Sequence, residues 1–137
     1  MHTVKQVSEK IGTTTETIRY YTRLGIIMPE RDPINGYRYY SDRDIYLVRF
    51  VRKAKTYGLT IQEIREIIDK SHRGESPCTL VKEMVTNRYR ETREKIRELR
   101  TLESRLALAL MEWGTIDIST PTEDMICPLI EKELADN

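Results

Sequence analysis

Apolar positions recur at helical spacing along most of the chain, with glycines, prolines and capping residues dividing them. Val4, Val7 and Ile11 share one face of a short segment, VKQVSEKI, which Gly12 closes as a C-terminal cap. Thr13, Thr14 and Thr15 follow, and any of them can cap the next helix, expected over Thr15 to Leu24 and ended by Gly25. Between Ile26 and Tyr40 the helical pattern stops. Two prolines and an Asn35–Gly36 pair precede Tyr-Arg-Tyr-Tyr, the signature of a tight hairpin with a β-prone return strand. A third helix follows, capped by Ser41, with Asp42 and Asp44 in its first turn complementing the helix dipole. It runs to about Tyr57. Ile45, Val48, Val51 and Ala54 mark its buried side, and Leu47 and Phe50 broaden it. Thr60 with Glu63 forms a capping box that opens a fourth helix through Ile68. Asp69 to Ser76 reads as a polar linker.

The longest uninterrupted pattern is Ser76 to Trp113. Ser76 can cap it, Pro77 suits the first helical position, and no further Gly or Pro occurs before Gly114. Val85, Tyr89, Ile96, Leu99, Leu106, Leu110 and Trp113 form a stripe at alternating intervals of four and three. Thr92 fills one slot, and Leu102 stands in where the register would use the charged Glu103. That is a coiled-coil seam. At roughly 1.5 Å per residue such a helix is about 55 Å long. It needs a second helix beside it, expected to be its own copy in a homodimer. An acidic loop, Gly114 to Met125, and a short turn after Cys127–Pro128 complete the chain.

Charge sharpens the picture. The 137 residues carry a net +1, distributed unevenly. Residues 1–60 hold eleven Lys and Arg against six Asp and Glu, a net +5, whereas residues 113–137 hold one against six, a net −5. A basic front points to a polyanionic partner at that end. No signal peptide and no membrane-spanning apolar run is evident, so a cytoplasmic protein with no membrane partner is expected. In that compartment Cys78 and Cys127 read as thiols rather than a disulfide. There is no Gly-rich phosphate cradle, no nucleophile elbow and no candidate nucleophile–base pair. The chain is therefore not expected to be an enzyme, and no organic cofactor is expected.

The first two helices and their short turn make a helix-turn-helix. The second presents Thr17, Arg19, Tyr20 and Arg23 outward, residue types that reach phosphates and guanine edges. A hairpin beside such a pair is a wing, with Arg38 and Tyr39 at its edge. Alternation places Tyr37 and Tyr39 on one face and Arg38 and Tyr40 on the other, and at least one of the tyrosines is expected to pack the lobe.

These features come in an order and spacing that resemble the MerR family of bacterial transcription regulators. The resemblance rests on T-E-T-I-R-Y-Y at 15–21, R-L-G-I-I at 23–27, N-G-Y-R-Y-Y at 35–40, S-D-R-D-I at 41–45 and F-V-R-K-A-K-T-Y-G-L-T-I-Q-E-I at 50–64. It covers about Val4 to Trp113. It implies a mostly α fold, with a winged helix-turn-helix lobe (1–70), a linker and long antiparallel coiled-coil dimerisation helix (71–113), and an effector loop with a short helix (114–137). It further implies a homodimer on a palindromic operator inside a promoter, acting with RNA polymerase. Effector binding would bend and untwist the DNA so that deformation, rather than new base contacts, switches transcription on. By matching positions, Thr15, Thr17, Arg19, Tyr20 and Arg23, with Arg38 and Tyr39 of the wing, are the implied DNA contacts.

The resemblance also implies an effector. Cys78 matches the cysteine that opens the dimerisation helix in the family's divalent-metal sensors, and Cys127 matches the second cysteine of their C-terminal loop. Across an antiparallel dimer the two would meet. Thiolates suit Hg(II), Zn(II), Cd(II) or Pb(II). Those sensors usually carry a further cysteine just after the long helix, where this chain has Trp113 or Gly114. Two thiols suffice for linear Hg(II), and other ions would draw on Asp117, Glu123, Asp124 or His72. The alternatives are a regulator of this type sensing oxidants, electrophiles or a small organic ligand, and, from another class, a helical scaffold or enzyme that does not bind DNA.

Overall fold

The computed structural model describes residues 1–115 and 124–134. In chain order the elements are α1 (Val4–Ile11), α2 (Thr15–Arg23), β1 (Glu30–Arg31), β2 (Arg38–Tyr39), α3 (Asp42–Lys55), α4 (Ile61–His72), α5 (Cys78–Trp113) and α6 (Pro128–Leu134). The chain divides into two compact units, Met1–Arg90 and Glu91–Asn137.

Local chemistry sets the helix starts in the first unit. Thr14 caps α2, its Oγ1 accepting from the Thr17 amide at 3.2 Å. Ser41 and Asp44 close a reciprocal capping box on α3, and Thr60 and Glu63 close another on α4. Thr3 and Gln6 make a third on α1, which the sequence pattern did not flag. The core is built mainly on α3 and α4, with side chains from α1, α2 and the loops between: Val7, Ile18, Ile27, Tyr40, Val48, Val51 and Ile64 are all fully buried. Burying each aliphatic one contributes on the order of 2 kcal/mol. The expected inner side of α3 is the observed one, with Phe50 packed at its edge.

Several boundaries differ from expectation. Helix α4 does not end at Ile68 but continues to His72, so His72 lies in its last turn rather than in a linker. Nothing between Asp69 and His72 breaks a helix, and the stop comes at Gly74. There φ is +78°, the Glu75 amide donates to the Lys70 carbonyl at 3.1 Å, and the Gly74 amide donates to Ser71 at 3.0 Å. This paired closure needs a left-handed residue, which glycine adopts without steric cost. Helix α5 begins one residue later than expected. Pro77 takes the cap position, its carbonyl accepting from the Val81 amide at 2.9 Å.

The hairpin forms, but not around a two-residue Asn-Gly turn. Strands β1 and β2 pair antiparallel, Glu30 opposite Tyr39 and Arg31 opposite Arg38, and the Asp32 amide donates to the Tyr37 carbonyl at 2.9 Å. The Asp32 carboxylate accepts from the amides of Ile34 (2.8 Å) and Asn35 (3.4 Å), which wraps four residues into a wider loop. Of the tyrosines, Tyr40 is the one that packs: it is 1% exposed, and its hydroxyl lies 2.9 Å from Thr22 Oγ1. Its backbone makes an isolated antiparallel bridge to His2, which ties the N-terminal segment to the end of the wing.

The first turns of α5 belong to the lobe, with Met84 buried in the core and Leu80 and Val81 packed against it. In the second unit, residues 91–108 are all exposed, and α6 is closed by the Ile126 amide donating to Glu131 Oε1 at 2.7 Å.

Candidate nucleic-acid interface and thiol sites

Helix α2 is held to the core by Ile18 and Tyr21, which turns Glu16, Arg19, Tyr20 and Arg23 to solvent. Thr15 and Thr17 are half-buried at its start. The Thr17 hydroxyl lies 3.0 Å from Thr14 Oγ1 and so takes part in the cap. Arg19 Nη1 donates to Thr15 Oγ1 and to Glu16 Oε1, both at 3.2 Å, which lays its guanidinium along the helix surface. The Tyr20 ring stands 5.7 Å from that of Tyr21. Burial pushes the Tyr21 phenol above its ordinary value, opposed by the nearby Arg52.

On the wing Arg38 is exposed and Tyr39 half-buried. A cleft of about 430 Å³ between wing, α2 and the start of α1 is lined by Arg19, Arg38, Tyr37 and Thr3, among others. Two cations expected to grip DNA from separate elements thus border one concavity. Tyr37 joins them, 67% exposed beside Gly36. Sequence alternation set it on one face with Tyr39 as a candidate for packing, but it precedes β2 at the end of the wide loop and stays exposed. At the other end of β2, His2 Nε2 lies 2.7 Å from Asp42 Oδ1. That hydrogen bond, reinforced by the charge of His2, holds the Asp42 carboxyl below the usual range.

Both cysteines are free thiols, Cys78 exposed and Cys127 half-buried. Cys78 is the first residue of α5, and its amide donates to Ser76 Oγ at 3.4 Å. Cys127 immediately precedes α6, and its carbonyl accepts from the Glu131 amide at 3.0 Å. Cys78 lies in the first unit and Cys127 in the second. Of the further candidates, His72 is exposed on α4 beside Pro77 in a cavity of about 210 Å³, and Asp124 is exposed; Asp117 and Glu123 lie outside the described residues. Among the described residues of one chain, no three His, Cys, Asp or Glu side chains are grouped to hold a metal ion. Trp113, at the position of the expected third thiol, is half-buried at the end of α5.

The sequence matches the family described as MerR HTH family regulatory protein over residues 2–71, and the one described as MerR, DNA binding, over residues 47–109. The chain belongs to the MerR family. It is 34% identical to the HTH-type transcriptional regulator HmrR of Rhizobium leguminosarum bv. viciae over 104 residues, covering 73% of this chain and 80% of the relative. It is 29% identical to the mercuric resistance operon regulatory protein of Bacillus cereus over 130 residues, covering 93% of each. The fold is that of a transcription regulator from Ralstonia metallidurans CH34 solved in complex with lead(II), with a TM-score of 0.76 at 22% identity, covering 97% of this chain and 99% of the other. This MerR chain is a DNA-binding transcriptional regulator, not an enzyme. No helix among its described residues is long and apolar enough to cross a membrane.

Proposed function

We propose that this MerR chain works as a homodimer in the cytoplasm, on a palindromic operator within a promoter. In this reading a thiophilic divalent metal ion is the signal, and RNA polymerase reads the resulting DNA distortion. The lobe of residues 1–70 reads DNA through Thr15, Thr17, Arg19, Tyr20 and Arg23 of α2 and Arg38 and Tyr39 of the wing. The segment 71–113 dimerises, and 114–137 completes the effector site.

The observation that carries the metal reading is the pair of free thiols at element starts, Cys78 opening α5 and Cys127 preceding α6. Two thiols fit a soft ion, and Hg(II) needs no more. Cys78 is exposed to a donor arriving from outside its own lobe. The relative named for mercuric resistance and the lead-bound neighbour support the same class of effector. When bound, the ion would join Cys78 of one chain to Cys127 of the partner, and a ligand set shared between chains biases dimer geometry because its affinity differs between arrangements.

Cys78→Ser and Cys127→Ser should each abolish metal-induced transcription in vitro while leaving operator affinity within about threefold of wild type. Titration with Hg(II), Cd(II), Pb(II) and Zn(II), with X-ray absorption at the bound ion, should count two sulfur ligands. Induction surviving both substitutions would sink the thiol reading. Induction by peroxide or an electrophile, without metal, would replace it with the redox one.

A further inference from the structure

One polar contact in the lobe has no part in DNA reading or in the thiol sites. Arg88 lies in the third turn of α5, beyond Leu80, Val81 and Met84, which pack into the lobe. Its Nη2 donates to Glu63 Oε1, with both side chains largely covered. Glu63 is already engaged: the same oxygen accepts from the Thr60 amide at 2.9 Å in the capping box that starts α4. The stem of Arg88 crosses Gly58, where an added Cβ would stand 3.3 Å from Arg88 Cγ and φ is +76°. The turn after α3, the cap of α4 and the third turn of α5 therefore meet at this one side chain. Residues 91–108 of the same helix are all exposed.

We propose that Arg88 is a positioning residue. By binding the α4 cap through Glu63, it fixes how the DNA-reading lobe is held on the first three turns of α5, and so which separation of operator half-sites the protein accepts. The Met84 contact alone is apolar and non-directional, so it tolerates rolling of one helix on another. A charge-assisted bond from a planar guanidinium to a carboxylate held by a helix cap does not. Half-site spacing is the observable on which such a constraint acts. One inserted base pair shifts a half-site by about 3.4 Å and rotates it by about a tenth of a turn.

The inference rests on the homodimer reading, and the test separates the two. A preferred operator is obtained by in vitro selection with the wild-type protein. Variants with one base pair added to or removed from the spacer are then compared by fluorescence anisotropy at fixed salt. Wild type should lose about tenfold or more in affinity per altered base pair. Arg88→Ala should discriminate less than about threefold while binding the preferred spacing within about threefold of wild type. Glu63→Gln keeps the capping-box geometry and removes only the charge. It should relax spacing in the same direction while remaining folded, with no more than the small loss of stability that removing the Glu63 charge entails, and it decides the matter if Arg88→Ala does not fold. Arg88→Lys should fall between, and the double variant should go no further than either single one. Unchanged discrimination in Glu63→Gln, or a uniform loss of affinity at every spacing, overturns the proposal. Selection of a lone half-site overturns the homodimer reading and the proposal with it.

Discussion

Arg19 shows what a single side chain on α2 has to do. In the free protein it leans on Glu16 and Thr15, an exposed pair one turn apart. Such pairs contribute only a few tenths of a kcal/mol, so the guanidinium is readily exchanged onto a phosphate or a guanine edge. Arg19→Ala should weaken operator binding by about 1–3 kcal/mol, read by anisotropy titration, with the oligomeric state unchanged. Undiminished affinity would remove Arg19 from the interface. The outward placement of Arg19, Tyr20 and Arg23 was legible from spacing, because an i, i+3, i+4 pattern fixes which residues cannot be buried, whereas Thr17, expected outward, is half-buried with its hydroxyl turned to the Thr14 cap. The wing was only partly legible. Which of Tyr37, Tyr39 and Tyr40 packs depends on the width of the loop, and that width is set by the Asp32 carboxylate collecting two amides.

At the scale of the element, caps decide where helices start, and most are written in adjacent residues. Ser41 with Asp44 and Thr60 with Glu63 each satisfy two backbone donors within four residues, which is why α3 and α4 start where the sequence places them. Ends were less legible. Helix α4 overran its expected stop because a polar, breaker-free stretch propagates a helix as readily as an apolar one. The Glu63 carboxyl is held below its ordinary value of 4.5, first by the Thr60 backbone hydrogen bond, with Arg88 adding to it against the effect of burial. A carboxylate whose folded pKa is depressed adds stability above its unfolded pKa and gives it up as pH falls through the folded one. Wild type should therefore lose stability in urea melts as pH falls below about 4.5, and Glu63→Gln should show a flatter profile over that window. Parallel profiles would remove the linkage.

At the scale of the whole molecule, α5 presents a seam rather than a core. Tyr89, Ile96, Leu99, Leu102, Leu106 and Leu110 are all exposed in the single chain, Leu99 at 63%. Large apolar side chains in heptad register are far more stable against a second helix than in water. Placing a charge at Leu99 (Leu99→Lys) should raise the dimer dissociation constant by about tenfold or more, as each apolar seam residue contributes on the order of 1–2 kcal/mol when covered. Sedimentation equilibrium reads this directly, and an unchanged dissociation constant would move the interface off this stripe.

The helices of the lobe, their inner faces, the presence of a wing and the long helix with its apolar stripe are all written locally in the chain. Each follows from periodicity, capping and breaker residues within a few positions of one another. Packing between remote segments settled the rest. It chose Tyr40 for burial beneath α2, drew Met84 into the core, and joined Arg88 to Glu63 across 25 residues of sequence. Local pattern records which side chains want burial or a partner, and only packing among all the elements selects which partner each one meets.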